Sequence, residues 1–272
     1  MSTVNGTPLT RHGSRVPTIP ARPTPPRPAS TPAAPPIRAQ ARAFRPPVTP
    51  APTIKVMVIC LPDDLPAQAL TSHQLDIHFG VTGTLTTLYW AAPRLRLWQR
   101  HQLIGARKGQ PTLCAGGPVR LLDLPGLRHA AAVGAGIRHQ LWQQIVHGTR
   151  PAVPWPVFES RHLTDPDRYP LDQVREDFHA QPRVHAMRLH AATSPGAGHC
   201  GIGELEMYQA GQVAYQHYRA ASAVAGDAML TADGHHLAPA SDALAHRITY
   251  LEQALAHLDT VGPEQRLLAV SL

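Results

Sequence analysis

The first 52 residues carry runs such as PARPTPPRPASTPAAPP, no Asp or Glu, and only isolated bulky apolar residues such as Leu9, Ile19 and Phe44. A segment of this kind cannot bury enough apolar surface to offset the entropy of ordering its backbone. The sequence therefore predicts a disordered, locally polyproline tail over 1–52 and leaves folding to a single domain over 53–272. Met57 offers a later start, although starting there would cut into the first predicted strand.

Two lysines (Lys55, Lys108) and one asparagine (Asn5) stand against abundant Arg, Ala, Pro and His, the bias of GC-rich coding DNA. Single Arg or His residues therefore carry little information, and patterns carry more. The net charge of +7 resides in the tail: removing its seven arginines (Arg11, Arg15, Arg22, Arg27, Arg38, Arg42, Arg45) from 25 basic residues leaves 18 against 18 acidic. Within the neutral remainder the charges segregate. Residues 77–158 hold nine basic residues and one acidic, Asp123, whereas from Glu159 onward fourteen acidic residues face eight basic.

All four tryptophans fall in the basic section, and YWAAPRLRLWQRHQLIGARKG interleaves Trp90 and Trp98 with Arg94, Arg96, Arg100, Arg107 and Lys108. Cations that displace counterions next to flat rings that stack on bases are what a nucleic-acid surface requires. The opposing reading is that these tryptophans are core and that the basic section docks on the acidic carboxy-terminal section of the same chain.

The pattern predicts an α+β fold: a small β-rich portion over 53–124, then a mainly helical portion over 125–262, with a final strand at 265–271. TIKVMVIC reads as a buried strand. LDIHFGV alternates Leu75, Ile77, Phe79 and Val81 with polar residues and reads as a half-buried strand, with TLTTLYW following it. Further strands are expected at Leu95–Trp98 and Val119–Leu122. A helix should begin near Pro125, carry Leu127, Ala131, Gly134, Ile137, Leu141 and Ile145 at helical spacing, and end at Gly148. LDQVREDFHAQ reads as a helix stopping or kinking at Pro182, and GELEMYQAGQVAYQHYRAASAV as a longer one broken near Gly226. Over 241–260, Ser241 suits an N-cap and Leu244, Ile248, Leu251, Leu255 and Leu258 form a narrow seam for another helix. RLLAVSL should return to the sheet begun by TIKVMVIC.

Two glycine-rich stretches invite a nucleotide reading. In AAAVGAGIRHQLW the third glycine position is His139, and the preceding residues already fit a helix, so Gly134 and Gly136 are expected to permit close packing rather than to cradle a phosphate. GAGHCG, from Gly196 to Gly201, precedes a helical pattern, where Cys200 with His199 beside it could gain a lowered thiol pKa. A connector built of turn residues is the competing reading of that loop. The histidine pairs His73/His78, His185/His190 and His235/His236 match no metal-ligand spacing. Asp172, Glu176, Asp177 and His179 share one short helix and read as solvated surface, and Tyr208 and Tyr215, seven apart, read as core. No metal and no cofactor are expected.

No run of apolar residues is long enough to span a membrane, no apolar signal region follows the first arginines, and three widely spaced cysteines (Cys60, Cys114, Cys200) favour a reducing cytoplasm. The leading expectation is a non-enzymatic cytoplasmic accessory protein that contacts nucleic acid or another polyanion through the tail and Trp90, Arg94, Arg96, Trp98, Arg100, Arg107 and Lys108. A second expectation is an enzyme or small-ligand binder using the loop 196–203, with Cys200 and His199 as its reactive groups. A third is an interaction module that offers a protein partner its proline-rich tail and its 241–260 helix.

Overall fold

The computed structural model describes residues 52–61, 72–107, 109, 111–194 and 200–272. The expected disorder of residues 1–52 lies almost wholly outside the described residues, as do His199 and Lys108. The strands are β1 (Val56–Leu61), β2 (Thr84–Leu85), β3 (Tyr89–Trp90), β4 (Leu113–Cys114), β5 (Gly116–Pro118), β6 (Ala228–Leu230), β7 (His236–Leu237) and β8 (Arg266–Ser271). The helices are α1 (Ser72–Phe79), α2 (Leu124–Ile145), α3 (Trp155–Thr164), α4 (Leu171–Ala180), α5 (Pro182–Thr193), α6 (Leu205–Gln209), α7 (Gln212–Ala225) and α8 (Leu244–Thr260). Strands concentrate in the amino-terminal half and helices in the carboxy-terminal half, so the fold is α+β.

β1 and β8 pair antiparallel through six residues, Met57 facing Val270 and Cys60 facing Leu267, as the pattern of RLLAVSL predicts. On its other edge β1 runs parallel to β6, and β7 extends β6 as a hairpin. β2 and β5 share the outer edge of β8, while β3 and β4 form a separate ladder. Strict alternation sends Val58, Cys60, Leu267 and Ala269 to one face of the sheet and Met57, Ile59, Leu268 and Val270 to the other, all buried. Both faces are covered, which is why β1 reads as a continuous apolar run. α7 and α8 cover one face through Ala221, Ala225, Tyr250 and Leu251. Leu75 of α1 covers the other.

A second core is helical and gathers Trp142 of α2, Phe158 of α3, Phe178 of α4, Met187 of α5 and Tyr215 of α7. Asp123 caps α2, its carboxylate accepting from the Gly126 amide at 2.9 Å. Gly134 and Gly136 lie inside α2 as the sequence predicts, and a Cβ on Gly136 would sit 2.6 Å from Nε2 of Gln216 on α7. α2 therefore approaches α7 closely. Asp227 receives the amides of Lys55 and Val56, and Asp242 receives the amide and hydroxyl of Thr53. Arg247 ties the two carboxylates together, at 2.6 Å from Asp242 and 3.9 Å from Asp227.

Several local expectations fail for identifiable reasons. LDIHFGV is helix α1: Leu75 and Phe79 are one turn apart and pack inward, whereas Ile77 is 65% exposed, which no half-buried strand would allow. Leu97–Gln102 forms a 3-10 helix in place of the strand expected at Leu95–Trp98, and Val119–Leu121 forms another in place of the strand at Val119–Leu122. On α2 the buried face is Ala135, Gly136, His139 and Trp142, and Ile137 points out. Ser241 does not cap α8. It lies two residues before the cap residue Ala243, and its hydroxyl meets Nδ1 of His246 at 2.7 Å. Leu244, Leu251, Leu255 and Leu258 pack against the two cores, so these leucines are used within the chain, whereas Ile248 of the expected seam is exposed.

Gly116 sits where β5 crosses closest to β8, and a Cβ there would lie 1.9 Å from the Leu267 carbonyl oxygen. Because the obstacle is backbone of a central strand, Gly116→Ala should lower unfolding free energy by about 3 kcal/mol, read as a shifted urea midpoint at unchanged slope.

Candidate functional site

The basic section divides sharply on exposure. Trp142 is buried in the helical core and Trp90 is half-buried in β3. Trp98, by contrast, is 56% exposed and Leu97 beside it 78% exposed. The 3-10 helix Leu97–Gln102 buries none of its residues. Arg94, Arg96, Arg100 and Arg107 are all exposed, and none forms an ion pair with a carboxylate among the described residues. The basic section reaches the acidic section through Arg120, whose Nε donates to Glu264 at 2.6 Å. The segment itself is held by the Arg96 amide donating to Oε1 of Gln99 and by backbone bonds of Ile104 and Arg107 to Gly116 and Leu113. An aromatic ring and four unneutralised guanidinium groups thus stand on a braced support.

The loop 196–203 is described only from Cys200 onward. Cys200 does not stand at the mouth of a long helix: one 3-10 turn, Ile202–Glu204, leads into the five residues of α6. Gly211, at a φ of 105°, then separates α6 from α7, so the single longer helix expected here is two. Cys200 is 3% exposed and belongs to the helical core. Burial pushes its thiol up, more than contact with the Tyr208 hydroxyl and the Arg138 charge lowers it. The anticipated activation of this cysteine is absent, because desolvation of a thiolate outweighs what one short turn can return.

The polar feature that the loop does build is centred on Glu204. Its Oε2 accepts from the hydroxyls of Tyr208 at 2.9 Å and Tyr215 at 2.8 Å, and its Oε1 pairs with Arg219 at 3.2 Å. Arg138 of α2 donates its Nε to the Tyr215 hydroxyl at 3.2 Å. Burial raises both tyrosine hydroxyls, which keeps them protonated as donors. Beneath them Trp142 stacks on Tyr208 with centroids 5.2 Å apart, and the buried His139 places Nε2 3.0 Å from the Tyr208 carbonyl. A carbonyl can only accept, so Nε2 carries the proton. Sequence spacing held a trace of this cluster: Glu204, Tyr208, Tyr215 and Arg219 are separated by four, seven and four residues, a helical stripe that Gly211 interrupts without destroying.

Glu204 and Arg219 line a cleft of about 1060 Å³ together with Arg138 from α2, Trp155 and Glu159 from α3, Ser241 and Asp242 just before α8, and Arg247 in its first turn. Elsewhere Asp177 accepts from Tyr169 at 2.6 Å and from Gln173 at 2.7 Å, and those bonds hold its carboxyl below the usual range. Asp172 pairs with Arg175. Among the described residues no three His, Cys, Asp or Glu side chains gather as metal ligands. No described helix is long and apolar enough to cross a membrane. No protein-family model, curated protein or solved structure matches the chain.

Two outcomes follow from this geometry. Glu204→Leu removes the carboxylate that accepts from two tyrosine hydroxyls and pairs with Arg219, and should cost about 3 kcal/mol of stability, with Glu204→Gln costing less because an acceptor oxygen remains; thermal and urea unfolding measure both. All three cysteines are free and buried, with Cys60 pushed up to about 12 and Cys114 to about 11 chiefly by burial. Near neutral pH a thiol reagent should leave all three unmodified in the folded protein and modify all three in concentrated denaturant.

Proposed function

We propose that this chain is a non-enzymatic accessory protein that holds an anionic polymer, nucleic acid above all, through Trp98 and the arginines around it, with the tail arginines adding sequence-independent attraction. The observation that supports this reading is the exposure of Trp98 beside Arg94, Arg96, Arg100 and Arg107, four cations without a carboxylate partner among the described residues. Large exposed aromatics are costly to leave in water. Next to unneutralised guanidinium groups they suit stacking on bases while the cations meet phosphates. Trp90, half-buried in β3, has less ring to offer. The exposed segment is a short 3-10 helix and holds no α-helix or β-ribbon to lay in a major groove, which favours single strands over duplex. Three free, buried cysteines accord with work in a reducing compartment such as the cytoplasm.

The test is fluorescence anisotropy of labelled single-stranded and duplex oligonucleotides with the full chain across a salt series. Replacing all four arginines by Gln should weaken single-strand binding at least tenfold and reduce the log–log salt slope by up to about 3, at roughly 0.7 per phosphate contact. Trp98→Ala should cost a further 1–3 kcal/mol, the approximate worth of stacking one base, and do so more for single strands than for duplex. Binding that survives both replacements unchanged assigns all attraction to the tail and overturns the assignment of this segment.

A further inference from the structure

The cleft presents charges that the folded chain leaves uncompensated. Arg219 is matched by Glu204, and Arg247 by Asp242 and Asp227. Arg138 is different: it is half-buried, its Nε is bonded to the neutral Tyr215 hydroxyl, its guanidinium carbon lies 5.9 Å from the Tyr215 ring centroid, and its two terminal nitrogens have neither a hydrogen bond nor an ion pair among the described residues. A guanidinium fixed at Nε and open at its fork has the geometry that receives a carboxylate through two parallel bonds. On another wall, α3 carries Trp155 and Glu159 one turn apart, so both face the cleft. The Trp155 ring is fixed edge-on against Phe178 at 5.3 Å, and Glu159 has neither a hydrogen bond nor an ion pair among the described residues. Glu206, also on the cleft and without an ion pair among the described residues, is raised by burial. An aromatic ring beside an open carboxylate is a cation site.

We infer that the cleft binds a small dipolar molecule carrying a carboxylate at one end and a cationic nitrogen group at the other, with Arg138 receiving the anion and Trp155 with Glu159 the cation. A purely anionic ligand would meet the carboxylates of Glu159, Glu204, Glu206, Asp227 and Asp242 along the same walls, and a purely cationic one would meet Arg138. A ligand with both charges compensates Arg138 and Glu159 together, whereas the exposed Lys55 and the half-buried Glu206, also on the cleft without an ion pair among the described residues, do not by themselves select a charge. The volume of about 1060 Å³ suits a small organic molecule with room for water. This site is separate from the exposed Trp98 segment and stands independently of the polyanion reading.

Isothermal titration of the full chain with three probes tests the assignment: 4-guanidinobutanoate, which has both charges; butylguanidinium, which has the cation alone; and hexanoate, which has the anion alone. Guanidinobutanoate should bind saturably and at least tenfold tighter than either single-charge probe. Arg138→Gln should erase its advantage over butylguanidinium, and Glu159→Gln its advantage over hexanoate. Ala131→Trp, at a half-buried position on the cleft wall, should abolish binding without altering either charge. Circular dichroism establishes that each variant is folded. Replacing the four exposed arginines near Trp98 should leave guanidinobutanoate binding unchanged. Absence of saturable binding, equal affinity for the three probes, or discrimination that persists in the Arg138 and Glu159 variants overturns the inference.

Discussion

Helix α7 is the element on which both cores depend. Its first half carries Tyr215 into the helical core, and its second half carries Ala221 and Ala225 onto the sheet. The small residues let the helix lie close over β1, and Gly226, at a φ of 65°, turns the chain within 2.9 Å of the Val56 carbonyl, counted from where a Cβ would stand. A larger residue at that turn would meet backbone, not a side chain that could move aside. Because α7 serves both packings, an error in its placement cannot be absorbed by one core alone.

The same helix explains why charged groups gather where they do. Arg219 and Tyr215 lie one turn apart on α7, and the Ile202–Glu204 turn brings Glu204 against them. Apolar packing of Trp142 against Tyr208 fixes the floor, and the largely buried hydroxyls above it need an acceptor. Glu204 fills that need and is itself neutralised by Arg219. Arg138 is thereby left as the open cation of the arrangement, not from want of a neighbour but because that neighbour is a neutral hydroxyl.

How much of this was legible in the sequence depends on the length of the signal. β1 and β8 are short but unbroken apolar runs, and their pairing follows from burial on both faces. α2 and α8 are long enough to read as helices, although Ser241 is not the cap of α8. LDIHFGV failed because spacings of two and four coincide over so few residues: Leu75 and Phe79 satisfy a strand and a helix equally, and only the exposure of Ile77 separates them. The 3-10 segments at Leu97 and Val119 leave no periodic trace to read. The exposure of the basic section could be posed as an alternative but not decided, since charge segregation along a chain is equally compatible with pairing inside it. The Glu204 cluster escaped because its members straddle Gly211, and a broken helix hides a shared face.

The central pairing of the sheet has a kinetic consequence. Met57 and Val270 face each other across the middle of the structure although roughly 210 residues separate them. Closing a loop of that length carries an entropic penalty that no local contact repays in advance, so β1 must wait, with its apolar run unpaired, until distant segments arrive. An exposed VMVICL edge is a template for other chains during that interval. The helical core closes over shorter separations, its principal pairing of α2 with α7 bringing Trp142 together with Tyr208 and Tyr215. Where that core forms before the sheet, α7 presents Ala221 and Ala225 as a surface for the strand to collapse upon, which shortens the time the strand spends open to aggregation.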